Sequence, residues 1–161
     1  MKWIALVCLL VVGVLSPGGC AGGAPRGSAP DEFSLSITVL GTRSATGTPM
    51  EAAWYVVEPD GALRVAVGGR QATSGTPPRV RQLTRAQIDA LWSRVEAWRG
   101  WAPASGGNRP EEAIGATALI SVAWAGNDRR SYRIDLAGES AASESVRGVV
   151  GELRGLAWMG R

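Results

Sequence analysis

Seven residues, FSLSITV at positions 33–39, set the pattern from which the fold can be worked out. The odd-numbered residues of this stretch are apolar and the even-numbered ones are small and polar. A period of two residues is typical of a β-strand that buries one face. We therefore predict a strand with an apolar side that must pack on another layer of structure.

A β-hairpin is predicted directly after this strand. Residues 53–57 (AWYVV) and 63–67 (LRVAV) flank the four residues 58–61 (EPDG). Proline presets φ at the first corner of a turn, and glycine accepts the positive φ that follows. Asp60 is interpreted as a turn-forming residue. A second hairpin is predicted further along the chain, with strands at 117–124 and 132–136.

Two amphipathic helices complete the pattern. Thr84 and Gln87 have the spacing of a capping box, and Gly100 is placed to end the first helix. Ser143 or Ser145 can cap the second helix. Apolar residues recur at helical steps in both segments: Ile88, Leu91, Trp92, Val95 and Trp98 in the first, and Val146, Val149, Val150, Leu153, Leu156 and Ala157 in the second.

These elements predict one α+β domain at residues 33–161. Its order is β-ββ-α-ββ-α, an antiparallel sheet of about five strands covered on one face by two amphipathic helices. Residues 68–82 and 102–115 have no period and are rich in Gly, Pro and Ser or Ala, so we predict two long loops. Loops of this length in a compact domain are either functional or disordered.

The N-terminus has the features of an export signal. Lys2 precedes an uncharged apolar run at residues 3–15, which is shorter than the ~20 residues that a membrane-spanning helix needs. Small residues, Gly18 and Gly19, come directly before Cys20. This arrangement resembles the lipobox of bacterial lipoprotein signals.

The resemblance implies that Cys20 is acylated and becomes the first residue of the mature protein. Residues 1–19 are then the signal peptide, residues 20–32 a lipidated flexible tether, and the membrane a partner through the lipid. We expect a cell-envelope location, anchored by lipid and facing the periplasm or the exterior. Cleavage after Ala21 or Ala24, giving a secreted protein, and an uncleaved N-terminus are the alternatives.

The composition excludes several kinds of chemistry. The chain contains no histidine, and Lys2 is its one lysine. Histidine-dependent triads, imidazole metal sites, phosphate-binding Walker loops and Schiff-base chemistry each need one of these side chains. Its 16 arginines are scattered without forming a basic stripe, so we expect no nucleic-acid partner. We predict no catalytic residues, no cofactor and no metal.

Paired carboxylates and tryptophans are the remaining candidates for function. The pairs Asp31-Glu32 and Glu111-Glu112 are interpreted as solvated loop charges. The less favoured alternatives are acid/base groups of a carboxylate-based hydrolase or calcium ligands. Of the six tryptophans beyond the leader, four are predicted to lie in the core and two to be hydrophobic caps or exposed contacts. The first group is Trp54, Trp92, Trp98 and Trp124, and the second is Trp101 and Trp158.

The succession of strands, a helix beginning Leu83-Thr84-x-x-Gln87, a hairpin and a final helix is similar in outline to emfourin-type metalloprotease inhibitors. This resemblance implies inhibition of a protease as one function. Our preferred hypothesis is a non-enzymatic module that binds an envelope protein or glycan through loops 68–82 and 102–115.

Overall fold

The computed structural model describes residues 27–41, 51–68, 75–101, 116–126 and 128–158. In this part of the chain, six strands and two helices follow one another in the order ββββαββα. The strands are β1 (Ser34–Leu40), β2 (Ala53–Val57), β3 (Ala62–Val67), β4 (Arg79–Gln82), β5 (Thr117–Ala123) and β6 (Arg129–Asp135), and the helices are α1 (Arg85–Val95) and α2 (Ala141–Trp158).

The strands form one antiparallel sheet in the spatial order β4-β3-β2-β1-β5-β6. β1 lies in the middle and pairs with one strand of each hairpin, so the first strand of the domain supports both. Leu35 lies opposite Val57 on one side and Val122 on the other, and all three are buried. The predicted α+β class is confirmed, with six strands in place of about five.

One face of the sheet packs against both helices. The odd-numbered residues of β1, which the sequence pattern predicted to be buried, are at most 1% exposed. Each large apolar side chain buried in this way contributes roughly 1.5–3 kcal/mol. The helices contribute Leu91, Trp92, Val95, Val146, Val149, Val150, Leu153 and Leu156 to the same core.

The two helices run antiparallel across the sheet. Trp98, just after α1, donates its indole N–H to Ser145 Oγ near the start of α2 (2.9 Å). Arg94, about one turn earlier, contacts Glu152, about two turns further along α2 (2.9 Å between Nε and Oε2). The residue later in the chain after α1 thus contacts the start of α2, and the earlier residue contacts a later part of α2. The two helices therefore run in opposite directions.

The capping box of α1 is confirmed. Thr84 Oγ1 accepts a hydrogen bond from the backbone N–H of Gln87 (3.3 Å), and the side chain of Gln87 accepts one from the backbone N–H of Thr84 (2.9 Å). The end of the helix differs from the prediction, since α1 stops at Val95 and continues as a 3₁₀ segment, Glu96–Gly100. This tighter turn carries Trp98, which is fully buried.

The start of α2 is capped by a serine that the sequence pattern did not single out. Ser140 Oγ accepts a hydrogen bond from the backbone N–H of Ser143 (3.1 Å), and α2 begins at Ala141. The prediction of Ser143 or Ser145 was wrong because several serines satisfy the N-cap preference locally. Ser143 is buried and donates to a backbone carbonyl of β6, whereas Ser145 accepts the indole N–H of Trp98.

β4 lies within residues 68–82, which were predicted to be a loop. It pairs with β3, with Arg81 opposite Leu63, and forms one edge of the sheet. Its sequence, RVRQ, has a single apolar residue and therefore no visible period. Backbone pairing holds this strand, and the guanidinium of Arg81 also donates to the carbonyl of Leu156 near the end of α2 (3.0 Å).

Residues 29–32, which were predicted to belong to the tether, contact the domain. Ala29 is buried, and its backbone N–H donates to Asp89 Oδ1 on α1 (2.8 Å). The guanidinium of Arg85 donates to the carbonyl of Ala29. Contacts of the domain therefore begin a few residues before the boundary at residue 33.

Candidate binding face

The face of the sheet opposite the core has no described helix on it, and we call it the open face. It consists of the even-numbered residues of β1 and the residues that pair with them on the other strands. Most of these residues are half-buried or exposed. They are Ser34, Ser36, Thr38 and Leu40; Trp54 and Val56; Arg64 and Ala66; Arg79; Thr117, Leu119, Ser121 and Ala123; and Arg129, Ser131, Arg133 and Asp135.

Three serines lie in register across the open face, and we call them the serine row. Ser36 on β1 lies opposite Ser121 on β5, which in turn lies opposite Ser131 on β6. Neighbouring strands are about 4.8 Å apart, so the three hydroxyls are spread over roughly 10 Å. The row therefore presents a hydroxyl group on each of these adjacent strands, along a line perpendicular to the strands.

Trp54 lies beside the serine row. Its indole N–H donates to Ser36 Oγ (3.0 Å), and its backbone position is opposite Thr38. The side chain is half-buried, so part of its aromatic surface is accessible. Leu119, the other strand neighbour of Thr38, is 41% exposed. An aromatic and an aliphatic side chain thus form the apolar middle of a largely polar face.

Arginines flank this middle on both sides. Arg64 and Arg79 lie opposite each other on β3 and β4, and Arg129 and Arg133 lie on β6 at the other edge. Arg64 forms an ion pair with Glu58 (2.9 Å) and donates to the carbonyl of Pro77 (3.3 Å). Asp135 is the one acidic residue among those that define the face. Even with Glu58 included, arginines outnumber carboxylates, and the face carries positive charge.

The structure separates the four tryptophans predicted to be in the core. Trp92, Trp98 and Trp124 are at most 4% exposed, as predicted. The prediction for Trp54 was wrong, because the odd-numbered residues of β2 face the core and Trp54 faces the other way. All five residues of AWYVV are apolar or aromatic, so the sequence does not show which alternate set is buried.

The two remaining tryptophans have different environments. Trp101 is half-buried and stacks on Trp98 with 5.1 Å between ring centroids, while its ring meets Tyr132 edge-on at 5.9 Å. It therefore acts as a hydrophobic cap. Trp158 is 46% exposed near the end of α2, away from the open face.

The acidic pair Asp31-Glu32 makes two separate polar contacts with the rest of the domain. Asp31 is almost fully exposed and forms an ion pair with Arg85 (3.2 Å). Glu32 accepts a hydrogen bond from the backbone N–H of Gly126 in the turn between β5 and β6. The two carboxylates therefore bond to different parts of the domain and do not converge on one site.

The other acidic candidates do not form a site within the described residues. Asp60 accepts a hydrogen bond from the backbone N–H of Ala62 (2.9 Å), which confirms its role in the turn. Glu111, Glu112 and the lipidation candidate Cys20 lie outside the described residues. Within the described ranges, no group of three acidic, Cys or His side chains is placed to hold a metal ion.

Both tyrosines are buried on the core side of the sheet. Burial raises the pKa of Tyr55, although the charge of Arg154 opposes the shift. Burial also raises the pKa of Tyr132, with Arg130 acting in the opposite direction, and its hydroxyl donates to the carbonyl of Trp98 (2.8 Å). Both phenols stay protonated at neutral pH, and the Tyr132 hydroxyl serves the packing of the core.

One signal for the open face was present in the sequence. The small polar residues of β1, including Ser36, alternate with its buried residues and so predict a solvent-facing side. The alignment of Ser36 with Ser121 and Ser131 depends on the pairing of strands far apart in the chain, which a local pattern does not show.

The chain matches no protein-family model, and no curated protein is similar to it at a significant level. Across the ranges that the structure describes, no helix is both long enough and apolar enough to cross a membrane.

Proposed function

We propose that this chain is a lipid-anchored, non-enzymatic binding module of the cell envelope that holds an envelope component on its open face. The observation that carries the proposal is the arrangement of the open face, where Trp54 lies next to three serines in register and no helix of the described ranges packs. A partly exposed aromatic residue among fixed polar groups is a common feature of binding surfaces.

The position of the N-terminal segment supports this arrangement. Ala29 contacts α1, which begins beside the turn between β2 and β3, where the backbone N–H of Leu83 donates to the carbonyl of Gly61 (2.9 Å). Gly68 and Ala116, from which two of the long connections leave, lie at the opposite end of the strands. The N-terminal segment therefore joins the domain beside α1, on the side of the sheet that the helices cover, and not on the open face.

The chemistry of the open face favours binding over catalysis. The charged groups that dominate it are arginines, which pair with anions but do not exchange protons at neutral pH. The chain offers no imidazole and, beyond Lys2, no amine side chain that could serve as a base.

The anchor is tested with the two cysteines of the chain. We expect the Cys20→Ser variant to lose its acyl mass and to leave the membrane fraction. Cys8→Ser, in the leader, is the matched control and is expected to keep both properties. Mass spectrometry and fractionation of intact cells measure the outcome. A Cys20→Ser protein that is still acylated and membrane-bound would overturn the lipid anchor.

The binding face is tested by in-cell crosslinking. A photoreactive residue at Leu119, on the open face, is expected to capture a discrete envelope species. The same residue at Gly151, which is exposed on the outer side of α2, is the control and is expected to capture none. Equal capture from both positions, or capture from Gly151 alone, would contradict the proposed face.

A further inference from the structure

We infer that the ligand of the open face is an anionic polysaccharide that lies across the strands, along the serine row. This inference rests on the proposed function, because it names the class of ligand for the same face.

The first step is the shape of the polar surface. Ser36, Ser121 and Ser131 lie on three adjacent strands in register, so their hydroxyls form a line rather than a pocket. A hydroxyl both donates and accepts hydrogen bonds, which suits the hydroxyl groups of a sugar. An extended polymer with repeating hydroxyls can contact all three serines, whereas a compact ligand would reach only one or two.

The second step is the aromatic surface next to this line. The indole N–H of Trp54 already donates to Ser36, so the part left for a ligand is the carbon surface of the ring. Aromatic side chains offer a rigid apolar surface at low entropic cost, and the C–H side of a sugar ring is a suitable partner for such a surface. Trp54 and the serine row together match a ring that is apolar on its faces and polar around its edge.

The third step is the charge. Arg79 on β4 and Arg129 on β6 are exposed on the two edge strands, five strand spacings or roughly 24 Å apart across the face. Guanidinium groups pair with carboxylates and phosphates in a bidentate manner. Two cationic regions at this separation fit acidic groups that recur along a polymer better than a single anion.

The experiment titrates the exported, detergent-solubilised protein with alginate oligosaccharides, which are polymers of uronic acids. Two variants at one position give opposite expectations. Ser131→Glu should weaken binding by at least about threefold, whereas Ser131→Lys, whose ammonium replaces the hydroxyl as a hydrogen-bond donor and adds a positive charge, should strengthen it by a similar factor. Ser131 is exposed on an edge strand, so both variants are expected to fold. Gly151→Glu and Gly151→Lys place the same charges on the helix side and should leave the affinity unchanged.

A second variant tests the aromatic contact. Trp54→Ala should weaken alginate binding by more than about tenfold. Trp54→Phe, which keeps an aromatic ring but loses the bond to Ser36, should retain most of the affinity. Thermal unfolding of both variants shows whether the fold is intact.

Three results would overturn the inference. They are equal effects of charge at Ser131 and Gly151, binding of a neutral glucan as tight as that of alginate, and binding of a single-stranded DNA of equal charge as tight as that of alginate. The last result would show attraction to any polyanion. If crosslinking from Leu119 captures an envelope protein while alginate does not bind, the inference fails and the binding module stands. If Leu119 captures nothing, the proposed function fails as well.

Discussion

Among the glycines that the structure describes, Gly61 alone combines a positive φ with less than 3.0 Å of space around an added Cβ. Its φ is +83°, and its backbone N–H donates to the carbonyl of Glu58 (2.8 Å). Its carbonyl accepts from the backbone N–H of Leu83 (2.9 Å). A Cβ at this position would lie 2.9 Å from both Gln82 Nε2 and Ile88 Cδ1. The first hairpin, the end of β4 and α1 therefore meet at this glycine.

We expect Gly61→Ala to lower the free energy of unfolding by about 1–2 kcal/mol, the cost of a side chain at positive φ. The two close contacts are with the ends of flexible side chains, which can move aside, and they add less than the backbone term. Gly68→Ala is the control, since Gly68 has a φ of +99° but an added Cβ there would have no atom within 4 Å. Denaturant unfolding measures both variants, and equal losses would show that crowding at Gly61 has no effect.

The structural roles of some residues could be predicted from their neighbours in the sequence, and the roles of others could not. The turn at Asp60 and the capping box of Thr84 depend on residues within four positions of each other, and both are confirmed. The orientation of Trp54 and the choice of Ser140 as a cap depend on which neighbours the sheet brings close. A local pattern contains no information about those neighbours.

At the scale of elements, α2 shows how packing maintains a helix of weak intrinsic stability. Its inner face is a row of buried aliphatic residues, while Gly151 and Gly155 lie exposed on its outer side. Glycine within a helix is less stable than alanine by roughly 0.5–1 kcal/mol. Burial of the inner face must offset this loss, because packing rather than intrinsic propensity provides most of the stability of such a helix.

We expect Gly151→Ala and Gly155→Ala each to raise the free energy of unfolding by about 0.5–1 kcal/mol. An added Cβ would have no atom within 4 Å at either site, so no contact is strained. Gly148→Ala is a useful comparison, because its Cβ would lie 3.6 Å from a guanidinium nitrogen of Arg94. Urea unfolding measures the stability of each variant. A lower free energy of unfolding for Gly151→Ala or Gly155→Ala would contradict the prediction.

The N-cap of α2 gives a further prediction. Ser140→Ala should destabilise the protein by about 1 kcal/mol, because the backbone N–H of Ser143 loses its acceptor. Ser140→Asp keeps an acceptor oxygen and should retain most of the stability. Thermal and denaturant unfolding are the measurements. If Ser140→Asp loses as much as Ser140→Ala, the contribution of Ser140 comes from other contacts.

Elements with a clear period were predicted well, and the others were not. β1 and α2 each bury one face, so their periods of two and 3.6 residues show in the sequence. β4 is a short edge strand whose pairing with β3 uses mainly backbone groups, which leave no pattern. In the 3₁₀ segment after α1, the apolar residue Trp98 continues the α-helical spacing of the sequence. The sequence therefore did not predict the change from α-helix to the tighter 3₁₀ geometry.

For the whole molecule, the two tyrosines link stability to alkaline pH. Deprotonation places a negative charge on a phenol, and burial of Tyr55 and Tyr132 disfavours that charge in the folded state. The folded pKa of each lies above the ordinary value of 10.0, so the folded protein keeps these protons to higher pH than the unfolded chain. The contribution of these two tyrosines to stability is therefore present below about pH 10 and is lost as the pH rises from there through the folded pKa.

We expect the free energy of unfolding to be level between about pH 8 and about pH 10 and to fall above that range. Tyr132→Phe should reduce the slope, and the double variant Tyr55→Phe, Tyr132→Phe should remove the tyrosine contribution. Tyrosinate absorbance reports on both residues, since the chain has only two tyrosines. An unchanged slope in the double variant would show that other groups cause it.

The two edge strands of the sheet, β4 and β6, both carry arginines, among them Arg79 on the first and Arg129 and Arg133 on the second. If two copies approached edge to edge, guanidinium would face guanidinium before any backbone pairing could form. Such repulsion disfavours the growth of a continuous ribbon of sheets from molecule to molecule. Association of two copies through their outer strands is therefore disfavoured even at high local concentration.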